Sequence, residues 1–426
     1  MTQTKTTPQE RIRGMGLLFV CLMTLGMGHS LFFAIFPPLA RDLGLSEVQA
    51  SAIFSLSAVL WVLMSPFWGR RSDVWGRKPV ILLGLIGFGV STGGLAILLV
   101  IGQQGWLPLM TLYGFMILMR SIFGFFGSGS PSAAQAYIAD RTTREERTSG
   151  VAAIGAAFGM GTIIGPGFAA VLAAVHLLAP FFAVAVFALC GALAIALFLP
   201  ERQKPAASSR DAPPLKITDK RIRLFLFLGV TVSTIGAAVM QVAAFFVMDT
   251  MHLSGQETAQ VVGVGMMAMA MATLFAQLVI IPRTNASVRA LLVMGILITM
   301  LGIAFLLFPI MNSALFAVSM TLQGLGSGLM RPAVAAGGSL AVEPDEQGAV
   351  AGFNSSTAAV GFVFVPLVLM PLYLYSPTAP FWVAFVLSGL MLLTTRSKQL
   401  DVMEAPIDGE GIEEAVMSRP DRHKNY

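Results

Sequence analysis

The chemistry of this chain is concentrated in a few polar side chains that lie inside long apolar stretches. His29, Arg120 and Arg331 are ionisable, and Gln241 and Asn354 add amides. An imidazole with an ordinary pKa of about 6.5 exchanges a proton near neutral pH, whereas a guanidinium stays charged. A charge at the centre of a bilayer costs roughly 2.5–3.5 kcal/mol. We therefore expect Arg120 to face a polar partner or an internal cavity.

Simpler interpretations of these residues stay open. His29 can be a neutral, hydrogen-bonded packing residue, and Arg120 can be bonded to backbone carbonyls. All 22 Asp and Glu fall in loops, tails or the edges of apolar stretches, with Asp249 nearest to such a stretch. The sequence shows no metal-ligand cluster, nucleophile constellation or phosphate-binding loop. We therefore expect no metal, no cofactor and no enzymatic activity.

The elements that must position these side chains are long apolar segments. Hydrophobic residues make up 56% of the 426 positions and charged residues 12%, about half the charge of a soluble domain. Apolar runs of about twenty residues, the length that spans a bilayer, recur along the chain. We predict an all-α polytopic membrane protein. Its twelve predicted spans cover residues 15–39, 47–68, 79–102, 107–138, 149–174, 178–199, 223–248, 257–281, 289–309, 313–340, 347–371 and 378–395.

A polar stretch divides the spans into two groups of six. Residues 200–222 are rich in Pro, Ser and charge, which is typical of a linker, and they separate a predicted bundle at 15–199 from another at 223–395. Residues 1–14 and 396–426 are predicted to be polar termini. With both termini inside, 24 of the 27 Lys and Arg lie in cytoplasmic segments. This asymmetry predicts cytoplasmic termini and a cytoplasmic linker.

A short charged stretch, GRRSDVWGRK, follows the second span. Its glycines permit a tight turn, and its basic residues favour the cytoplasmic side. The stretch resembles the G-x-L-x-D-R-x-G-R-R/K signature between the second and third helices of the major facilitator superfamily. The matching positions are Gly69, Asp73, Gly76, Arg77 and Lys78. Arg71 and Val74 depart from the signature, and its counterpart at 282–289 keeps basic residues but loses the Asp and both Gly.

The fifth predicted span contains the sequence GAAFGMGTIIGPG. Glycines four residues apart let another helix approach closely, and a proline removes a helix hydrogen bond. The pattern resembles the G-x-x-x-G-P signature of the drug/proton antiporter branch, with matches at Gly161, Gly165 and Pro166. Ala169 and Ala170 replace the glycines that follow in that branch. Ordinary tight packing is the alternative interpretation.

The resemblance covers about residues 15–395. Within the superfamily, the chain is similar to norfloxacin- and tetracycline-type multidrug exporters. It implies two pseudo-symmetric six-helix bundles around a central cavity. It also implies export of a small amphipathic molecule (a drug, an antibiotic or a siderophore-like compound) by alternating access, in exchange for protons. The expected setting is a monomer in the lipid bilayer of the bacterial inner membrane, without nucleic acid. A solute importer, either a proton symporter or a uniporter, is the main alternative, followed by a non-transporting receptor or assembly protein.

Within this resemblance, the expected coupling and substrate residues are His29, Arg120, Gln241, Arg331 and Asn354. The exporters commonly place acids in helices seven and ten, where this chain has Gln241 and Gly328. We therefore expect His29 to carry the proton, in competition with substrate or with an Arg120 contact, and Asp249 to be next in line.

Two further expectations concern the gate and the cavity wall. Asp73 should contact the start of the eleventh helix and Arg141 or Arg144. An apolar lining of flexible thioethers and aromatic rings would suit varied ligands. Its expected members are Met23, Met27, Phe32, Phe33, Phe36, Met240, Phe245, Phe246, Met266, Met267, Met269 and Met271.

Overall fold

The structure is a computed structural model, and it describes most of the chain. The described ranges are 8–140, 144–200, 218–284, 286–308, 312–343 and 360–397, together with residues 346, 350, 353, 357 and 400. For residues 8–12, 139, 144–153 and 155 only the backbone is described. The candidate Asn354 and the expected gate residue Arg141 lie outside the described residues, as does the Arg144 side chain.

The described residues form twelve apolar helices, as predicted. They are α1 (Pro8–Asp42), α2 (Glu47–Trp75), α3 (Arg77–Gln103), α4 (Leu109–Ile138), α5 (Arg144–Ala173), α6 (Ala179–Phe198), α7 (Arg223–Met251), α8 (Gly255–Thr284), α9 (Val288–Leu306), α10 (Ser313–Leu340), α11 (Val360–Tyr375) and α12 (Ala379–Thr394). Ten are long and apolar enough to cross a membrane, and α11 and α12 are shorter apolar helices. Helices suit this setting because they satisfy their own backbone hydrogen bonds.

Three of the helices contain one π-helical turn each. These turns cover Phe123–Gly127 in α4, Ala276–Ile280 in α8 and Val365–Leu369 in α11. A π-turn inserts one extra residue into the helix and frees a backbone carbonyl, and such turns are frequent at functional sites. In α4 the Phe125 carbonyl accepts hydrogen bonds from Trp68 Nε1 at 2.6 Å and from Ser128 Oγ at 3.1 Å.

The ends of α2 follow from local sequence, with one departure from expectation. Ser46 caps the start in a capping box with Gln49. The helix then runs on past residue 68, where the predicted span ended, to Trp75. Gly69 therefore lies inside a helix and not in a turn, which corrects the expected role of that glycine. Gly76 alone separates α2 from α3, with φ at +103°, a conformation that L side chains rarely adopt.

One compact unit comprises Met1–Arg210, Met240–Met267 and Phe362–Pro377. It contains α1 to α6, the last part of α7, the first part of α8 and most of α11. Its core is rich in fully buried aromatic rings, among them Phe32 and Phe88.

The other compact unit comprises Asp211–Val239, Ala268–Gly361 and Thr378–Tyr426. Its α10 packs backbone to backbone on two neighbours. A Cβ at Gly324 would lie 2.0 Å from the Met269 carbonyl oxygen of α8, and a Cβ at Gly326 would lie 2.6 Å from the Gly295 carbonyl oxygen of α9. Only glycine fits at such distances, so these glycines fix the packing of α10 on α8 and α9.

An ion cluster ties the start of α7 to the segment that follows α10. Arg221 Nη2 lies 2.8 Å from Asp219 Oδ2, and Arg221 Nη1 lies 2.9 Å from Glu346 Oε2. The guanidinium lowers the pKa of both carboxyl groups by hydrogen bonding their charged forms. Beneath the cluster, Ile222 packs with Val342 and Val350.

Candidate functional site

Arg120 occupies α4 at the point where the regular helix gives way to the π-turn. Only 3% of the residue is exposed, and its Nε has no hydrogen-bond partner among the described residues. The guanidinium carbon lies 4.2 Å from the Phe32 ring centroid and 4.5 Å from that of Phe123. Two aromatic faces, which attract a cation through their quadrupoles, therefore surround the guanidinium. The expectation that Arg120 faces a polar partner or an internal cavity stays a prediction.

His29 lies one turn before Phe33 on α1 and is half-buried among aromatic rings. Its ring centroid is 6.4 Å from Phe123, 6.1 Å from Phe158 and 6.3 Å from Phe362. Arg120 and His29 thus share Phe123 as a common neighbour. The structure brings together the two residues that the sequence nominated for coupling.

Gln241 of α7 belongs to the same compact unit and is fully buried. Its Nε2 donates to the Phe362 carbonyl oxygen at 3.3 Å, an oxygen that also accepts from Ser55 Oγ. Its Oε1 has no partner among the described residues. Because Phe362 also contacts His29, the Gln241 amide and the Arg120 guanidinium lie at opposite ends of one chain of ring contacts.

The rings of this site form a continuous aromatic cluster. Trp61 lies 5.2 Å from Phe123 and 6.3 Å from Phe158, while Phe54 stacks on Phe33 at 4.6 Å. Nothing in the sequence pointed to these neighbours, because aromatic residues in an apolar span look alike whether they face lipid or the site.

The expected apolar lining is split by the structure. Phe32, Phe33 and Phe36 are buried and each packs on Phe54, and Phe32 also stacks on Phe36. By contrast, 57% of Met271 is exposed. The three phenylalanines of α1 therefore belong to the buried aromatic cluster, where Phe32 contacts Arg120 and Phe33 contacts His29.

Arg331 lies in α10, in the other compact unit, and its side chain is exposed. A Cβ at Gly236 of α7 would lie 3.2 Å from Arg331 Nη2. The guanidinium therefore rests against a glycine on the neighbouring helix.

The signature between α2 and α3 is organised by Arg77. Its Nη1 lies 2.6 Å from Asp73 Oδ1 and donates to Ser72 Oγ at 2.6 Å, and its Nε lies 3.0 Å from Asp140 Oδ2 at the end of α4. Lys78 Nζ donates to the Ala196 carbonyl of α6 at 2.8 Å. The turn is therefore tied to the ends of two further helices.

The two departures from the signature differ in their surroundings. Arg71 stacks on Trp75 with its guanidinium carbon 4.0 Å from the ring centroid. Val74 is more than half exposed. The expected contact of Asp73 with the start of the eleventh helix involves residues before Val360 that the structure does not describe, so it stays a prediction.

The helix-five glycines meet the backbone of α1. A Cβ at Gly161 would lie 2.0 Å from the Met23 carbonyl oxygen, and one at Gly165 would lie 2.5 Å from the Met27 carbonyl oxygen. From the other side, a Cβ at Gly26 would lie 2.1 Å from the Phe158 carbonyl oxygen. This is the close approach that the glycine spacing predicts.

Pro166 lies at a second close contact of α5. A Cβ at Gly263 of α8 would lie 2.6 Å from the Pro166 carbonyl oxygen. A proline thus interrupts the hydrogen bonding of α5 at a place where the α8 backbone lies close to it.

A polar cluster joins the last turns of α1 and α7, and the sequence indicated only part of it. Arg41 pairs with Asp249 and lies 2.5 Å from Glu47 Oε1, while its guanidinium carbon lies 5.2 Å from the Phe245 ring centroid. The Tyr373 hydroxyl of α11 donates to Asp249. Asp249, the carboxylate nearest to a predicted span, is therefore held by a cation and a phenol.

The chain is similar in sequence to proteins named for drug resistance. The chain is 29% identical over 385 residues to multidrug resistance protein 1 of Bacillus subtilis, covering 89% of this chain and 94% of that protein. It is 27% identical over 384 residues to the class C tetracycline resistance protein of Escherichia coli, covering 86% and 91%.

Solved structures show the same fold. A point mutant of the nucleoside transporter NupG matches with a TM-score of 0.71 at 13% identity, covering 91% of this chain and 98% of that one. A bacterial homologue of the human lysosomal transporter Spinster, inward-facing and occupied, matches with a TM-score of 0.68 at 14% identity, covering 97% and 98%. The family model of the Major Facilitator Superfamily matches residues 18–366. This chain is a multi-pass membrane protein that belongs to the Major Facilitator Superfamily of transporters.

Proposed function

We propose that the protein exports a small amphipathic molecule across the plasma membrane by alternating access, in exchange for protons. The observation that carries the proposal is the match, over about nine-tenths of both chains, to a protein named for multidrug resistance. The tetracycline resistance protein points to the same class of substrate. In this proposal both termini are cytoplasmic and the protein acts as a monomer.

The packing of α5 supports export. Gly161 and Gly165 hold α5 directly on α1, and Pro166 interrupts α5 where α8 approaches. Two helices in backbone contact move as one piece, so a bend at the proline moves α5 relative to α8 without separating it from α1. Gly161→Val should abolish transport, whereas Gly159→Val should be tolerated because no atom lies within 4 Å of a Cβ there.

Two side chains are proposed to take part in proton coupling. His29 is surrounded by rings and shares Phe123 with Arg120, so a proton on the imidazole would repel the guanidinium. Asp249 pairs with Arg41, and protonation would remove the negative charge that holds this pair together. In the proposed orientation Asp249 lies at the outer surface, where protons enter.

The test is transport by inverted membrane vesicles with an imposed proton gradient. We expect gradient-dependent accumulation of tetracycline, and loss of accumulation when the gradient is collapsed. Accumulation without a gradient would indicate a uniporter or a different driving ion. Uptake by right-side-out vesicles would instead support the importer.

The coupling residue is identified by proton release from purified protein on addition of substrate. His29→Gln or Asp249→Asn should abolish the release while substrate binding persists, depending on which group carries the proton. Cys190→Ser, a change at an exposed position of α6, serves as the control. Unchanged release in both variants would remove both residues from the coupling mechanism.

A further inference from the structure

The Arg120 guanidinium lacks the counter-ion that a buried cation ordinarily requires. No carboxylate of the described residues lies within 4.0 Å of it, and its Nε makes no hydrogen bond to them. A buried charge without a partner is strongly disfavoured. Stacking on Phe32 and Phe123 offsets part of this cost but leaves the buried Nε donor without an acceptor among the described residues.

The surroundings of Arg120 favour a ligand with an aromatic ring. Trp61, Phe158 and Phe362 extend the aromatic surface away from the guanidinium, and His29 lies among them. Offset and edge-on ring contacts are the geometry that such a surface offers to a flat apolar group. A second unsatisfied atom, Gln241 Oε1, lies at the far end of this surface and can accept one hydrogen bond.

The charged side chains of the site disfavour a cationic ligand. Every Asp and Glu of the chain lies outside the central part of the predicted spans, so a cationic ligand would find a guanidinium and no carboxylate. An anion meets the opposite situation, because its acidic group supplies the missing acceptor for the guanidinium fork.

We infer that Arg120 binds the acidic group of an aromatic anion whose ring lies among Trp61, Phe123 and Phe158. This inference rests on the proposed export function for its biological meaning, since it names the substrate class as amphipathic carboxylates or similar acids. The binding site itself is a property of the folded chain and is tested without transport.

The experiment compares three ligands of the same shape on the purified full-length protein. They are 2-naphthoate, 2-naphthamide and 2-naphthylmethylammonium, titrated calorimetrically with empty micelles as blanks. Wild type should bind the carboxylate at least about tenfold more tightly than the amide, because a desolvated guanidinium–carboxylate pair is charge-assisted and bidentate. The ammonium compound should bind more weakly than the amide.

Variants then assign the preference to Arg120. Arg120→Gln should bring the affinity for the carboxylate down to that for the amide and leave amide binding unchanged. Arg120→Lys should keep part of the preference, because it retains the charge but loses the planar fork. Arg283→Gln, at the exposed end of α8, should change nothing.

Three outcomes would overturn the inference. They are equal binding of carboxylate and amide by wild type, tighter binding of the ammonium compound, and absence of binding by all three ligands. The wild-type comparison needs no variant, so it stands even where Arg120→Gln fails to fold, which thermal unfolding would detect. A clear carboxylate preference together with no transport in vesicles would contradict the proposed function and leave the binding site intact.

Discussion

The turn between α2 and α3 and the turn between α8 and α9 hold equivalent places in the two six-helix halves, yet different partners hold them. In the first, Arg77 contacts two carboxylates, those of Asp73 and Asp140. In the second, Arg289 donates to the Thr395 carbonyl at 2.9 Å, at the end of α12. The second turn has no counterpart of the signature Asp in its sequence, and Arg289 there donates to backbone carbonyls beyond α12.

The carboxylate contacts of Arg77 and the carbonyl contacts of Arg289 differ in how they respond to charge. Carboxylate–guanidinium contacts respond to protonation and to competing charges, whereas a backbone carbonyl offers the same acceptor in every state. We therefore expect the first turn to rearrange during transport and the second to fix α9 against α12 throughout.

The largest expected effect comes from the glycine that forms the first turn. Gly76→Val should lower the free energy of unfolding by about 2–3 kcal/mol, because φ near +103° is strained for any branched side chain. In the second turn, Ser287→Val should cost only about 1 kcal/mol, the loss of an N-cap hydrogen bond to Ala290. Thermal unfolding of the purified variants measures both.

The control for this pair is Gly69→Ala. Gly69 lies in the helix with no atom within 4 Å of an added Cβ, so the variant should be slightly stabilised, by about 0.5–1 kcal/mol. Destabilisation by Gly69→Ala would mean that α2 ends before this glycine.

The next effect concerns the two arginines. Arg77→Ala should reduce transport at least about tenfold and leave two carboxylates without their cation. Arg289→Ala removes the hydrogen bonds to the Thr395 and Ser397 carbonyls, among the contacts of that side chain. It should reduce stability by about 1 kcal/mol and leave transport per folded molecule near wild type. Equal loss of transport in both variants would erase the proposed distinction between the turns.

A smaller effect is expected at the acid of the first turn. Asp73→Asn keeps the shape of the side chain and removes the charge that faces Arg77 and, in our prediction, the start of the eleventh helix. Transport should fall several-fold while expression and thermal unfolding stay near wild type, because the side chain is half exposed. The equilibrium between inward- and outward-facing conformations, measured by spin-label distances, should shift toward the inward-facing one. Wild-type flux in Asp73→Asn would contradict a role of Asp73 in the gate.

The smallest effect concerns the ion cluster at the start of α7. Because Arg221 lowers the pKa of Glu346, the folded state prefers the charged carboxylate. The resulting stabilisation is present above the ordinary Glu pKa of about 4.3 and is lost as the pH falls through the lower folded value. Glu346→Gln should lower the melting temperature by less than about 2 °C at pH 7, and the difference should disappear as the pH falls through the folded-state pKa of Glu346. Molar salt should abolish the difference at pH 7, and a difference that survives it would mean that the pair is not the cause.

Much of the fold follows from the sequence because membrane helices carry their signal locally. The twelve apolar runs and the glycine spacing of α5 need no knowledge of distant partners, and both predictions agree with the structure. The end of α2 was predicted too early, because polar residues after residue 68 indicate a membrane edge and not a helix end. Hydropathy locates the edge of the membrane, whereas capping residues locate the end of the helix.

The contacts of the site were less predictable. Burial cost alone predicts that Arg120 has a special environment, but nothing local distinguishes Phe32 and Phe123 from the other phenylalanines of the chain. Likewise Asp249 stood out as the carboxylate closest to a span, while its partner Arg41 looked like an ordinary residue of an external loop. Pairings between distant parts of the chain require the three-dimensional packing.

The one-residue turn at Gly76 also has a practical consequence for handling the protein. Arg70 and Arg71 lie in α2, while Arg77 and Lys78 lie in the first turn of α3. Proteases cut extended segments of several residues, and this stretch offers one glycine between two helices. Trypsin should therefore spare this basic hairpin, and an epitope tag or fluorescent protein inserted there would have to unwind a helix.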